Sequence, residues 1–259
     1  MQELPERVRA VTDRLMAHVD ARLPGQLEGF YLVGSVAQGD YREGRSDVDF
    51  IAVLAGPHEV DVLARIHADL AHAFAGLSCD GIYVHADELA APPGGEGVRA
   101  HEGKVGRSDG ERHPVSWLLL ADEGIALRGP APNASWVAAD RDAAIDYSRK
   151  NLGSYWQRWL DGYRRSVPAT RETSIADAAV TWGALGVARV HATIASGHVP
   201  SKTAAGIHAL DAFARHGRII GEGLRLRTEP ETLSRYASHE ARRHDLIAFM
   251  EEAISSARI

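Results

Sequence analysis

Tyr31-Leu32-Val33-Gly34-Ser35-Val36-Ala37-Gln38-Gly39, and then Arg45-Ser46-Asp47-Val48-Asp49-Phe50, is the stretch on which the reading turns. Phe30–Val33 is a short apolar run bounded by glycines, the pattern of a buried strand. Gly34 lets the chain turn and approach a ligand closely, because it carries no Cβ. Ser35 then opens a short helix, where free N–H groups and a hydroxyl can hold phosphate oxygens. In the second run Asp47 and Asp49 alternate with Val48 and Phe50, so both carboxylates leave one face of a strand that becomes wholly apolar towards Leu54. Two neighbouring carboxylates repel unless a divalent cation joins them, and Mg²⁺ takes such oxygens while keeping places for phosphate and water. Phosphoryl transfer uses this arrangement, with metal ions neutralising the triphosphate and aligning the attacking and leaving oxygens. Asp80, at the mouth of Gly81-Ile82-Tyr83-Val84, is the candidate third carboxylate, as a metal ligand or as the base for an attacking hydroxyl. Asp80-Gly81 is equally a common turn dipeptide, while Asp87 and Glu88 lie past the strand.

Working outward, Val8, Val11, Leu15, Met16, Val19 and Leu23 have helical spacing, as do Val60, Leu63, Ile66, Leu70 and Phe74. Gly81–His85 reads as a third strand. Ala91-Pro92-Pro93-Gly94-Gly95 opens a loop expected to run to about Arg112, and Val115–Leu120 and Ile125–Leu127 are expected to be strands. Gly129-Pro130-Ala131-Pro132 marks a domain boundary. Beyond it the pattern is helical over about 138–164, 175–196, 202–215 and 231–257. The expected architecture is an α/β N-terminal domain over 1–132, a mixed sheet with flanking helices, plus an all-α helical bundle over 133–259.

With 29 Lys+Arg against 35 Asp+Glu and a net charge of -6, the chain lacks the basic excess of a nucleic-acid binder and suits a cationic substrate slightly better. One cysteine, Cys79, excludes an internal disulfide. Met1–Asp20 is charged and helix-patterned without an apolar signal core, and no stretch is apolar enough to span a membrane, so a cytoplasmic protein is expected. The 13 histidines show no ligand spacing, and those of His239-Glu240-Ala241-Arg242-Arg243-His244 are wrongly spaced for a zinc-protease helix. His113-Pro114-Val115-Ser116-Trp117 suggests no mechanism.

These residues resemble the polymerase-β-like nucleotidyltransferase superfamily, and within it the aminoglycoside adenylyltransferases that modify streptomycin and spectinomycin. The likeness extends to Arg128-Gly129-Pro130, the following long helix, Ala188-Arg189-Val190, and Ser196-Gly197-His198-Val199-Pro200-Ser201-Lys202. It implies ATP as donor and two Mg²⁺ ions in the N-terminal domain, with Asp47, Asp49 and Asp80 as metal-binding and catalytic residues and Gly34 and Ser35 at the triphosphate. Asp80 stands where the family carries Glu, so its reach is shorter. Arg189 and Lys202 match a helical-domain arginine and lysine that bind nucleotide phosphates. The acceptor implied is a small, cationic aminoglycoside or aminocyclitol, the context antibiotic resistance, and the working form a monomer free of nucleic acid and membrane. Where streptomycin-contacting members carry acidic and polar residues, this chain has Ile175, Ala179 and Trp182. The family's nucleotide-contacting tyrosine falls near Thr228, with Tyr236 further on. Asp80, Glu172 and Asp177 are the acidic groups left to meet a cationic acceptor, and Trp117 and Trp182 could stack on a ring.

Overall fold

The computed structural model describes residues 3–166 and 173–256, and side chains in the second stretch from 177 onward. Glu172 and the Ile175 side chain lie outside the described residues. The chain divides into two compact units, Met1–Asp140 and Arg141–Ile259.

The first unit runs α1 (Glu6–Arg22), β1 (Leu27–Leu32), α2 (Gly34–Ala37), β2 (Val48–Leu54), α3 (Val60–Ala73), β3 (Cys79–Val84), α4 (Ala86–Leu89), β4 (Gly97–His101), β5 (Lys104–Ser108), α5 (Pro114–Glu123) and β6 (Ile125–Arg128). The strands make one six-stranded sheet in the order β5-β4-β3-β2-β1-β6. β2 and β3 pair in parallel, which requires a crossover that α3 supplies, and the other neighbours are antiparallel, so the sheet is mixed as expected. Alternation along the strands sends Phe30, Leu32, Phe50, Leu54 and Tyr83 to one face, against the apolar stripes of α1 and α3. Tyr31, Ile51, Val53, Ile82 and Val84 go to the other, against Leu89, Trp117, Leu120 and Val137. Both faces are thus covered, and the ends of β2 and β3 are where polar groups meet solvent.

Two expectations are corrected. Val115–Leu120 is helical, within α5: Pro114 fixes its first turn, and the His113 side chain caps it by accepting from the Ser116 N–H. The segment expected as loop contains the β4–β5 hairpin, whose turn places Glu102 and Gly103 at φ 49° and 73°. The unit extends to Asp140 because Trp136, Val137, Ala138 and Ala139 pack into the second face's core. Arg128 ties β6 to α1 through two hydrogen bonds to Asp20, at 2.6 and 2.8 Å.

The second unit is helical: α6 (Arg141–Asn151), a π-helical turn (Leu152–Trp156), α7 (Gln157–Arg165), α8 (Thr173–Ser196), α9 (Lys202–Ala212), a 3₁₀ turn (Ala214–His216), α10 (Gly217–Thr228) and α11 (His239–Ser256). Its core gathers Trp156, Leu160, Val187, Ile219, Ile220, Phe249 and Met250. α10 was not expected, because Gly217, Gly221 and Gly223 weaken its helical pattern. It buries Glu222 completely, and Arg225, Ser234 and the Arg235 N–H donate to that carboxylate at 2.7–3.0 Å. No described helix is long and apolar enough to cross a membrane.

Candidate active site

The turn after β1 is built around a missing side chain. Gly34 sits at φ +62°, and a Cβ there would lie 2.2 Å from Asp49 Oδ2, so only glycine lets the turn close against the carboxylate. The Val33 N–H donates to the Asp49 carbonyl at 3.0 Å, fastening the turn to β2. Gly34–Ala37 is a single helical turn, and the Asp40 N–H closes back on the Ser35 carbonyl at 2.9 Å. Inside it the Ser35 Oγ is buried and makes no hydrogen bond to the protein.

The strand order places the acids. Asp47 is exposed just before β2, and Asp49 is half-buried within it. In the parallel register Asp49 and Asp80 are direct partners, so the two carboxylates leave neighbouring strands side by side. Asp80 is held on several sides: the Ser78 hydroxyl donates to Oδ1, the Glu102 N–H donates to Oδ1 at 3.0 Å, and His101 Nδ1 lies 2.7 Å from Oδ2. The His101 side chain is half-exposed, so its ring faces solvent while its Nδ1 faces Asp80. His67, Cys79 and Tyr83, close to these acids, are buried. Burial lowers the His67 pKa to about 4, and the neutral ring shares a 2.8 Å hydrogen bond with the Tyr83 hydroxyl. Burial, with Asp80 and Asp49 adding to it, holds the Cys79 thiol protonated.

In the second unit Arg189 Nε donates to the Pro200 carbonyl at 2.8 Å, and Lys202 Nζ lies 5.2 Å from the Trp182 ring centroid. Trp182 is 41% exposed, with the Trp156 ring centroid 5.7 Å from its own. Asp177 accepts from Arg242 at 2.6 Å, a pairing that occupies its charge within the protein. Trp117, in the first unit, is fully buried, with its indole N–H donating to the Ala91 carbonyl at 3.2 Å. It packs the core and presents no face to a ligand, which corrects the expectation of a stacking residue. Thr228 bonds its own helix at Leu224, and the Tyr236 hydroxyl donates to Asp245 at 2.7 Å.

The family model of the nucleotidyltransferase domain matches residues 18–82, a span holding Gly34, Ser35, Asp47, Asp49 and Asp80. The chain carries a nucleotidyltransferase domain. It is an enzyme of that type, and its mixed sheet with a helical second half has a solved counterpart. The crystal structure of spectinomycin adenyltransferase AAD(9) from Enterococcus faecialis with ATP and spectinomycin is similar at a TM-score of 0.62. It shares 14% identity, over 94% of this chain and 99% of that one, a likeness of fold. No curated protein matches the sequence.

Within the nucleotidyltransferase domain, Gly34, Asp49 and Asp80 come together, and Ser35 sits in the same turn. Ser78, His101 and the Glu102 N–H were not anticipated from sequence. The available signal was Glu102-Gly103, a turn pair whose recognition would have folded His101 back beside Asp80.

Proposed function

We propose that the protein transfers AMP from ATP to a hydroxyl of a small cationic acceptor, an aminoglycoside or aminocyclitol, in a Mg²⁺-dependent reaction. The observation that carries this reading is the Gly34–Ser35 turn laid against Asp49, with a buried serine hydroxyl that lacks a protein partner. Buried polar groups are nearly always satisfied, and a phosphate oxygen is the partner this turn suits. Asp47, Asp49 and Asp80 offer the hard oxygen donors that Mg²⁺ requires and would hold two ions. When bound, the ions neutralise charge on the triphosphate. Asp80 accepts the proton of the acceptor hydroxyl, and Ser78, His101 and the Glu102 N–H fix the direction of its carboxylate. The freed oxygen bonds to the α-phosphorus as the bond to pyrophosphate breaks. By the family resemblance, Arg189 and Lys202 would contribute cations for the nucleotide phosphates and Trp182 a ring for the acceptor, whereas the Arg242 pairing leaves Asp177 little charge for it. The spectinomycin in the AAD(9) structure supports the choice of acceptor. The resulting modification would inactivate the antibiotic, in the cytoplasm and by a monomer.

Pyrophosphate release from ATP and Mg²⁺, with a panel of aminoglycosides and aminocyclitols, tests this reading. Acceptor-dependent release supports it, and labelling of protein from ATP would move the acceptor to a protein hydroxyl. The several hydrogen bonds on Asp80 favour one competing reading, a nucleotide-binding protein without transfer. ATP binding with no release for any acceptor would decide for it.

A further inference from the structure

The parallel strands β2 and β3 start at the carboxylates, and His58, His85 and Glu88 follow their opposite, C-terminal ends. One ligand atom from each of these residues lies within 4.8 Å of the other two. The two imidazole rings stack with centroids 4.2 Å apart and planes 17° from parallel. His85 Nδ1 sits 2.9 Å from the Leu54 carbonyl, which directs its proton there and leaves Nε2 as the bare electron pair. His58 is held by a main-chain hydrogen bond at Val84, while its Nε2 is buried without a hydrogen-bond partner. Glu88 accepts the His85 N–H at 2.6 Å on Oε2, and the buried Arg112 on Oε1. Each carboxylate oxygen has a second lone pair, so both bonds leave capacity for another partner.

We infer that His58, His85 and Glu88 form a site for a borderline divalent transition-metal ion, Zn²⁺ being the best suited. The donor chemistry separates it from the Mg²⁺ carboxylates: two imidazoles and one carboxylate suit zinc, whereas magnesium prefers oxygen alone. Ring nitrogens tied to main-chain carbonyls, and a carboxylate braced by an arginine, are the outer contacts that orient metal ligands. Three protein ligands leave one position of a tetrahedral ion for water. His58 lies in the connection leaving β2 and the other two follow β3, so the ion would clamp the exits of the central parallel strands together.

The test uses chelator-stripped full-length protein in excess Mg²⁺, with Asp47→Ala present so that the carboxylate site does not contribute. A single equivalent of Zn²⁺ should survive dialysis and raise Tm, and Co²⁺ in its place should give tetrahedral visible absorption. His58→Ala and His85→Ala should each weaken Co²⁺ binding at least roughly 10–100-fold. His244→Ala, which removes an exposed histidine elsewhere, should not. In that background, equal binding with and without His58→Ala or His85→Ala, or no binding by any of these proteins, overturns the inference. Zinc-edge absorption on the unsubstituted protein needs no variant to fold. It should report two imidazoles, a carboxylate and one water oxygen, and any other set of protein ligands is equally decisive against the site.

Discussion

At the scale of single residues, Gly34 and Ser35 separate two kinds of constraint. An alanine at Gly34 meets both a left-handed backbone and a carboxylate oxygen 2.2 Å from its Cβ, so Asp49 must move. Gly34→Ala should lower stability by about 1–2 kcal/mol for the backbone alone. With the carboxylate displaced, transfer should fall on the order of 100-fold, as read by thermal melting and pyrophosphate release. Ser35→Ala should do the opposite to stability, because it removes a buried hydroxyl that bonds nothing in the protein. Its Tm should hold or rise while the KM for ATP climbs; a drop in Tm at unchanged KM would remove the hydroxyl from the phosphate site. His101→Ala tests the brace on Asp80: kcat should fall, with ATP affinity little changed, and His101→Gln should recover part of the loss.

Among the elements, the parallel pairing of β2 with β3 depends on Gly81, where a Cβ would come within 2.1 Å of the Phe50 carbonyl. Gly81→Ala should force the strands apart, lowering stability by about 1–3 kcal/mol, and should loosen ATP binding because Asp49 and Asp80 are partners across that seam. Calorimetry and nucleotide titration on the same sample check both halves. α10 has its own test. Burial alone would raise the Glu222 pKa, but hydrogen bonds from Arg225, the Arg235 N–H and Ser234 outweigh it and bring it from 4.5 to about 2. A carboxyl depressed in the folded state adds stability that is complete above pH 4.5 and is lost as pH falls towards 2. Acid titration of the fold should therefore be steep over that window in the native protein and flatter in Glu222→Gln. What sequence could show follows from the same physics. β1, β2 and β3 are legible because apolar alternation and the Gly34 turn are local signals. α5 is not legible because Val115–Leu120 is apolar but for Ser116, a run that fits a strand or a buried helix equally, and only the His113-Pro114 cap distinguishes them. The His58–His85–Glu88 cluster was invisible, since its members join only when two parallel strands end together.

Over the whole molecule, the two units have separate hydrophobic cores, and the first closes on itself through Trp136 and Val137. Residues 1–140 should therefore fold cooperatively as an independent chain, whereas a chain ending at 132 should melt lower, having lost that packing. Circular dichroism melts of the two chains make the comparison, and equal melting temperatures would deny Trp136 and Val137 their role. Cys79 has a practical consequence at this scale. It is buried and kept protonated by its surroundings, so it should stay inert towards maleimides in the native state. Cysteines introduced on the surface of each unit could then carry a pair of energy-transfer dyes or nitroxides without removing any native thiol. Such labels would measure the separation of the units directly in solution, before and after ATP is added.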